Sequence, residues 1–164
     1  MKTLCLARHA KAQREDSSLS DAKRSLTERG RDDAVRMGQR LRRQGCAPDL
    51  ILTSPALRTR ATAQLLAKEI HYDGNSIGVE KKLYDAGVAD LIRIVRGAND
   101  RVQTLMLVGH NPGMHEVIEY LSGREINKLP PAGICIMNLS ADSWDAIGPA
   151  SGSIVWLSAP REAI

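Results

Sequence analysis

Two histidines and two arginines in this sequence are of the types that phosphoryl transfer requires. His9 and Arg8 stand directly after the first apolar run of the chain. His110 follows a later apolar run, and Arg58 comes shortly after another. A neutral imidazole can attack phosphorus to form a phosphoramidate that water resolves, while guanidinium groups hold the phosphate oxygens with paired hydrogen bonds. The pattern therefore indicates phosphoryl transfer through His9, with a cationic His110 stabilising charge on the transferring group.

The elements that must position these residues can be read from the apolar runs. Runs at 4–7, 50–52 and 105–108 are unbroken by polar residues, which is typical of strands buried on both faces of a parallel sheet. Helical periodicity follows each of them. This alternation predicts an α/β fold, a three-layer α/β/α sandwich with a mostly parallel central sheet. Further runs at 134–139 and 154–157 predict later strands that extend the sheet, one of them antiparallel.

Helices are expected to begin close to the strand ends. Ser54 is a suitable cap with Pro55 at the first helical position, and Asn111 and Pro112 repeat this pattern. The carboxyl ends of parallel strands share one edge, where open α/β sheets bind ligands and helix starts favour anions. A helical side chain leans toward the helix N-terminus, so Arg58 can reach that edge. The sequence thus predicts an anion pocket there.

A polar stretch of mixed charge, residues 11–25, separates the first strand from the first helix and is predicted to be an exposed loop. Lys11 and Arg24 within it are candidates to line the mouth of the pocket and contact substrate. Their charges are equally compatible with an ordinary solvated loop. No carboxylate lies beside His9 in the sequence.

Bulk properties exclude several classes of protein. The 164 residues are 43% apolar, which favours a single domain over residues 1–164. The net charge of +4 favours an anionic substrate but is too small for a nucleic-acid-binding surface. With no Phe, two Trp and three Tyr, a platform for stacking single-stranded bases is not expected. We find neither a signal-peptide pattern nor an 18-residue apolar stretch, so a cytoplasmic protein without membrane contact is expected.

A metal or other cofactor is not expected. The three cysteines are scattered, and His110 and His115 are five residues apart, which does not match the spacing of a zinc motif. His71 and His115 are interpreted as surface or satisfied core histidines.

Four segments of the chain carry a resemblance to a known family. They contain Arg-His-Ala, Arg-Ser-Leu-Thr-Glu-Arg-Gly, Thr-Ser-Pro-Ala-Leu-Arg-Thr and Val-Gly-His-Asn-Pro-Gly, at residues 8–10, 24–30, 53–59 and 108–113. The chain resembles the histidine phosphatase superfamily, also called phosphoglycerate-mutase-like. The resemblance implies the phosphoglycerate-mutase-like fold. It also implies that His9 is the nucleophile, that Arg8 and Arg58 clamp the phosphate, and that His110 is the second catalytic histidine, with Asn111 beside the substrate.

Within this superfamily, the short length and the Leu-Tyr-Asp-Ala segment at 83–86 resemble the SixA-type phosphohistidine phosphatases. The family pattern places Gly after the nucleophile, where this chain has Ala10. Larger members use a Glu proton donor in the segment that corresponds to 83–85, which makes Asp85 the candidate acid. Larger members also carry insertions over the pocket, whereas this chain has no length for a large lid insertion.

The resemblance assigns the acid only to the candidate Asp85, which favours phosphohistidine as substrate because imidazole leaves more easily than an alkoxide. A pocket with an open mouth would also admit a side chain of another protein. The expected partner is a phosphorylated histidine-containing phosphotransfer domain in phosphorelay signalling. Two alternatives remain: a phosphatase or mutase for small phosphate esters, and a phosphate-binding module without turnover.

Overall fold

The computed structural model describes residues 1–14 and 18–161. Within these ranges strands alternate with helices, and none of the helices has the length and apolar composition to cross a membrane. The strands are β1 Lys2–Arg8, β2 Leu50–Thr53, β3 Gly78–Val79, β4 Thr104–Gly109, β5 Ile134–Leu139 and β6 Gly152–Ser158. The α-helices are α1 Glu28–Arg43, α2 Leu57–Glu69, α3 Val88–Arg96 and α4 Gly113–Ser122.

The strands form one sheet in the order β3-β2-β4-β1-β5-β6. Strands β1 to β4 pair in parallel, whereas β5 is antiparallel to both of its neighbours, β1 and β6. Strand β6 consequently points the same way as β1, and β5 alone is reversed among the strands described. The mostly parallel sheet with an antiparallel strand in its later part is confirmed.

The two faces of the sheet carry separate apolar cores, because side chains alternate along each strand. Leu4 and Leu6 of β1 face one core, to which α3 and α4 contribute. Cys5 and Ala7 face the other, which is shared with α1 and α2. All four side chains are fully buried. Helices therefore cover both faces, and the expected three-layer α/β/α arrangement is confirmed.

Helix α1 begins where local chemistry favours a start. Thr27 has extended backbone, and its Oγ1 accepts a hydrogen bond from the Gly30 backbone N–H at 3.0 Å. Basic side chains occupy the last turn, where they complement the helix dipole.

The predicted starts of the next helices are wrong in detail. Helix α2 begins at Leu57 with Ala56 as its cap residue, so Pro55 is not the first helical residue. Ser54 lies two residues before the cap position, and its Oγ accepts from the Ala56 N–H at 3.3 Å as well as bonding to the side chain of His110. Helix α4 begins at Gly113 with Pro112 in the cap position. Both predicted cap side chains still bond to the start of their helix, since Asn111 Oδ1 accepts from the His115 N–H at 3.3 Å. Each also bonds to a residue of the sheet edge or its supporting loop.

The polar stretch 11–25 has more structure than an exposed loop. Ala12 forms an isolated antiparallel bridge with the buried Leu26, and Asp21–Lys23 forms a 3₁₀ helix. Residues 15–17 of the predicted loop lie outside the described residues. The Asp21–Lys23 turn packs against α2, which brings the carboxylate of Asp21 to the edge of the sheet.

Candidate active site

The carboxyl ends of β1 and β4 bring the two histidines together. Arg8 of β1 pairs in register with Gly109 of β4, so the next residues, His9 and His110, leave the sheet side by side. The His9 backbone N–H donates to the Gly109 carbonyl at 3.0 Å, and the His9 carbonyl accepts from the Ala132 N–H at 3.0 Å. The two imidazole ring centres lie 5.4 Å apart. The predicted meeting of the strand ends therefore occurs.

His9 is held as a neutral imidazole with a defined tautomer. Its Nδ1 lies 2.8 Å from the Ala10 carbonyl oxygen, which can only accept, so Nδ1 carries the proton and Nε2 keeps its lone pair. Burial first, and then the nearby Arg58 and Arg8 charges, lower the pKa of His9 to about 3, although the bond to Ala10 acts in the opposite direction. His9 thus presents a nucleophilic nitrogen at neutral pH.

The residue after His9 is fixed by a chain of hydrogen bonds to α2. The Ala10 N–H donates to Thr62 Oγ1 at 3.0 Å, and that hydroxyl donates to the Arg58 carbonyl at 2.8 Å. Ala10 is fully buried and is not among the residues with positive φ. Its methyl group therefore fits where the family pattern has Gly, because no left-handed backbone is required.

His110 is also neutral, in the opposite tautomer. Arg58 Nη2 lies 3.3 Å from its Nδ1, and a guanidinium only donates, so Nδ1 accepts. The proton therefore sits on Nε2 and is donated to Ser54 Oγ at 2.7 Å. Burial, followed by the Arg58 charge, lowers the pKa of His110 to about 4. The cationic His110 expected from the sequence is thus not its state beside Arg58 at neutral pH, although negative charge placed next to the ring would favour protonation.

The two arginines have donors to spare. Arg58 Nη1 donates to the Asp21 backbone carbonyl at 2.9 Å, and Arg8 Nη1 donates to the Leu129 carbonyl at 3.0 Å. The Nε atom of each is buried without a hydrogen-bond partner in the described part of the chain. A buried donor without an acceptor lowers the stability of the folded protein by about 1–3 kcal/mol, so an anion that reached these Nε atoms would remove that penalty.

Asp21 is the central carboxylate of the site, and the sequence reasoning did not single it out. Its Oδ1 accepts from Arg24 Nη2 at 2.8 Å, and its Oδ2 accepts from Arg58 Nη2 at 3.0 Å and from the Tyr84 hydroxyl. The Tyr84 bond first, and then those of Arg24 and Arg58, hold the pKa of Asp21 below its usual range. The ring of Tyr84 also packs edge-on against His110, with ring centres 5.4 Å apart. The Asp21 carboxylate is therefore ionised and fully engaged at neutral pH.

A single cavity of about 330 Å³, here called the phosphate cavity, is lined by every side chain predicted for the site. Two of the predicted substrate contacts already form hydrogen bonds within the protein. Arg24 is bonded to Asp21 and to the Gln13 carbonyl, and Asn111 donates to the Leu129 carbonyl at 2.8 Å. The lining comprises Arg8, His9, Lys11, Ala12, Arg24, Arg58, Asp85, His110, Asn111 and Pro131.

Sequence signals for the residues that were missed are weak. Asp21 shares its polar stretch with other acidic residues, and nothing in the local pattern separates it from them. Tyr84 stands in the segment that resembles the SixA type, beside Asp85, but its hydroxyl had no assigned role. Thr62 has the helical spacing from Arg58 that a contact requires, yet many hydroxyl residues share such spacing.

Comparison with known proteins decides the family. Residues 4–91 match the profile of the histidine phosphatase superfamily, branch 1. The chain belongs to the histidine phosphatase superfamily. The matched range includes Arg8, His9, Arg58 and Asp85. This membership supports phosphatase chemistry, and the resemblance drawn from the sequence motifs is confirmed.

Relatives cover nearly the whole chain. An uncharacterized chloroplast protein of Arabidopsis thaliana is 29% identical over 99% of this chain and 80% of its own length. A crystal structure from Agrobacterium tumefaciens, provisionally named the phosphohistidine phosphatase SixA, matches with 26% identity and a TM-score of 0.83 over 97% of this chain and 98% of that one. A tungstate complex of the protein histidine phosphatase SixA has 21% identity and a TM-score of 0.81, over 96% of this chain and 97% of that one. The phosphoglycerate-mutase-like fold is thereby confirmed.

Proposed function

We propose that this phosphatase removes the phosphoryl group from phosphohistidine in a partner protein, by way of phosphorylated His9. One observation carries the proposal. The bond from Nδ1 to the Ala10 carbonyl leaves Nε2 of a neutral His9 as a nucleophile in a cavity that Arg8 and Arg58 also line. The structural likeness to SixA proteins extends over nearly the whole chain and supports this substrate class.

The first step transfers the phosphoryl group to the enzyme. His9 Nε2 forms a bond to phosphorus while the bond to the substrate imidazole breaks, and a substrate ring protonated at its other nitrogen departs as neutral imidazole. Arg8 and Arg58 hold the equatorial oxygens during the in-line displacement. The buried Nε donors of these two arginines would then gain anionic acceptors. The charge of the phosphoryl group raises the pKa of His110, so this histidine becomes a donor as charge develops.

The second step releases phosphate. Water attacks the phosphorus of phosphorylated His9, the N–P bond breaks, and the lone pair returns to Nε2. The Nδ1 proton stays on its bond to the Ala10 carbonyl throughout, so the ring leaves the step neutral and the product departs as dihydrogen phosphate, which loses its proton to solvent. Resetting the enzyme therefore requires no rearrangement of the tautomer.

The ionised state of Asp21 favours a nitrogen leaving group over an alkoxide. Asp21 is held ionised by three donors and cannot supply a proton. Asp85 is then the carboxyl group in the described lining of the phosphate cavity that remains for this role. Imidazole leaves without strong acid assistance, whereas a positioned acid contributes about 10² to 10⁴ in ester cleavage.

The assignment is tested with a histidine-containing phosphotransfer domain that carries labelled phosphate on its histidine. We expect the enzyme to release the label and acid-labile phosphate to be trapped on His9. The rate of label release should be at least about 10³-fold lower for His9→Ala. His71→Asn replaces an exposed histidine outside the cavity with a residue that tolerates its left-handed backbone, and should behave as wild type. Equal discharge by His9→Ala would overturn the mechanism.

The same assay separates the two alternatives. Asp85 in the cavity is the observation that favours small phosphate esters, and faster turnover of a sugar phosphate than of a phosphohistidine peptide would replace the proposed substrate. Failure to trap any phosphoenzyme or to turn over either substrate, with phosphate still bound, would establish a binding module instead.

A further inference from the structure

A second cavity of about 360 Å³, here called the basic groove, opens beside the phosphate cavity. Lys11 and Pro131 line both spaces, so the two are adjacent. The catalytic residues assigned above do not line this groove. Its lining comprises Lys11, Arg29, Asp33, Pro130, Pro131, Ala159, Pro160 and Arg161.

The far wall of the groove is held in place by hydrogen bonds between α1 and the segment after β6. Arg40 donates to the carbonyls of Ala159 at 2.8 Å and Pro160 at 3.0 Å. Arg161 makes a paired contact with the buried carboxylate of Asp33, with Nη–Oδ distances of 3.0 to 3.1 Å. These bonds give the groove a fixed shape, which lowers the entropic cost of binding a ligand.

The charges in the groove are unbalanced. Three cationic side chains face a single carboxylate, and Asp33 already pairs with Arg161. Lys11 and Arg29 therefore remain as an excess of positive charge. Arg29 lies in the first turn of α1, where the helix dipole disfavours a cation. Arg29 is exposed beside the phosphate cavity and destabilises its own helix, which makes it a candidate for binding a ligand.

We propose that the basic groove binds an acidic segment of the protein substrate that adjoins its phosphohistidine. This inference rests on the proposed function. Because the groove adjoins the phosphate cavity at Lys11 and Pro131, a phosphorylated side chain can enter the cavity while its neighbours in the chain lie in the groove. Lys11 and Arg29 would pair with carboxylates, and the proline and alanine surfaces would contact aliphatic carbons. The groove thus selects protein substrates by the charge around the phosphohistidine.

The test uses phosphohistidine peptides whose flanking residues are either glutamates or alanines, with phosphoramidate as a small substrate. Wild type should prefer the acidic peptide, and Arg29→Glu should lower kcat/KM for it about tenfold while leaving phosphoramidate turnover unchanged. Arg31→Glu is the matched control, because Arg31 is exposed in the same helical turn and is not part of the described groove lining. Arg29→Glu replaces a cation with a residue that suits the dipole, so loss of folding is not expected.

Direct binding separates this inference from the proposed function. A fluorescent acidic peptide without phosphate should bind wild type and Arg31→Glu, and should bind Arg29→Glu about tenfold more weakly, in an anisotropy titration. This pattern of peptide binding in a protein that does not turn over phosphohistidine would overturn the proposed function but support the groove as a binding site for acidic peptides. Turnover with no preference for acidic flanks, or equal effects of the two substitutions, would overturn the groove. Self-association that Arg29→Glu abolishes, with no peptide binding, would also overturn it in favour of a second copy as the occupant.

Discussion

At the scale of single residues, the site depends on two neutral imidazoles with opposite tautomers. His9 carries its proton on Nδ1 because a backbone carbonyl accepts it, whereas His110 carries its proton on Nε2 because Arg58 donates to Nδ1. Each tautomer is thus set by a partner with only one possible role in a hydrogen bond. Burial and neighbouring cations keep both rings neutral.

The first prediction concerns the pH dependence of stability. The pKa of His9 is about 3 in the folded protein against an ordinary value of 6.5, so its contribution to stability is complete above pH 6.5 and is lost as the pH falls toward 3. His9→Gln lacks this titration. Between pH 7 and pH 5 the free energy of unfolding of wild type should fall by about 2 kcal/mol more than that of the variant. Urea unfolding at several pH values measures this difference, and parallel pH profiles would contradict it.

At the scale of elements, close backbone approaches hold the loops around the sheet edge. A Cβ atom on Gly30 would lie 2.1 Å from the Lys11 carbonyl oxygen, and one on Gly113 would lie 2.1 Å from the Ala86 carbonyl oxygen. The first contact sets the start of α1 against the loop after His9. The second sets the start of α4 against the segment that carries Asp85. Two helix starts thereby position opposite sides of the phosphate cavity.

Gly30→Ala should therefore destabilise the protein, although alanine normally favours a helix over glycine by about 1 kcal/mol. The added methyl group meets backbone rather than a flexible side chain, and we expect a net loss of about 1–3 kcal/mol. Gly87→Ala is the control, because nothing lies within 4 Å of a Cβ built there. Chemical unfolding of both variants gives the comparison. A Gly30→Ala protein at least as stable as wild type would show that the loop moves freely.

At the scale of the whole molecule, Asp21 joins segments that are distant along the chain. Its carboxylate accepts from Arg58, which is 37 residues away, and from Tyr84, which is 63 residues away. It also fixes Arg24 within its own segment. One ionised side chain therefore orients Arg58, the arginine proposed to bind phosphate, and would compete for it with a bound anion.

Asp21→Asn should separate the catalytic rate from anion affinity. Loss of the charged partner frees Arg58 from its orientation, so kcat should fall about 10- to 100-fold, since small misplacements of positioning groups have effects of this size. Inorganic phosphate should inhibit more strongly, because the competing carboxylate is gone. Steady-state kinetics with phosphate as inhibitor measure both, and Asp32→Asn, at an exposed position on α1, is the control. An unchanged kcat with weaker phosphate inhibition would contradict this role.

Much of the fold was predictable because the core strands are short apolar runs with clear ends. The run 134–139 coincides with β5, and 105–108 lies inside β4. Helix starts were less predictable. Ser54 and Asn111 have the right types for caps and bond to backbone N–H groups near the helix starts, but the helices begin one or two residues later than predicted. Each side chain also bonds to a tertiary partner, His110 for the first and the Leu129 carbonyl for the second.

The sequence alone determined which residue types follow the strands, and with them the superfamily and the candidate site residues His9, Arg8, Arg58 and His110. Those features are local, since a strand end and its next residues are adjacent in the chain. Only the tertiary structure decided the tautomers, the contacts of Asp21 and the position of the basic groove next to the phosphate cavity. Each of these depends on hydrogen bonds or surfaces shared by segments far apart in sequence, and their geometry exists only after the chain has packed.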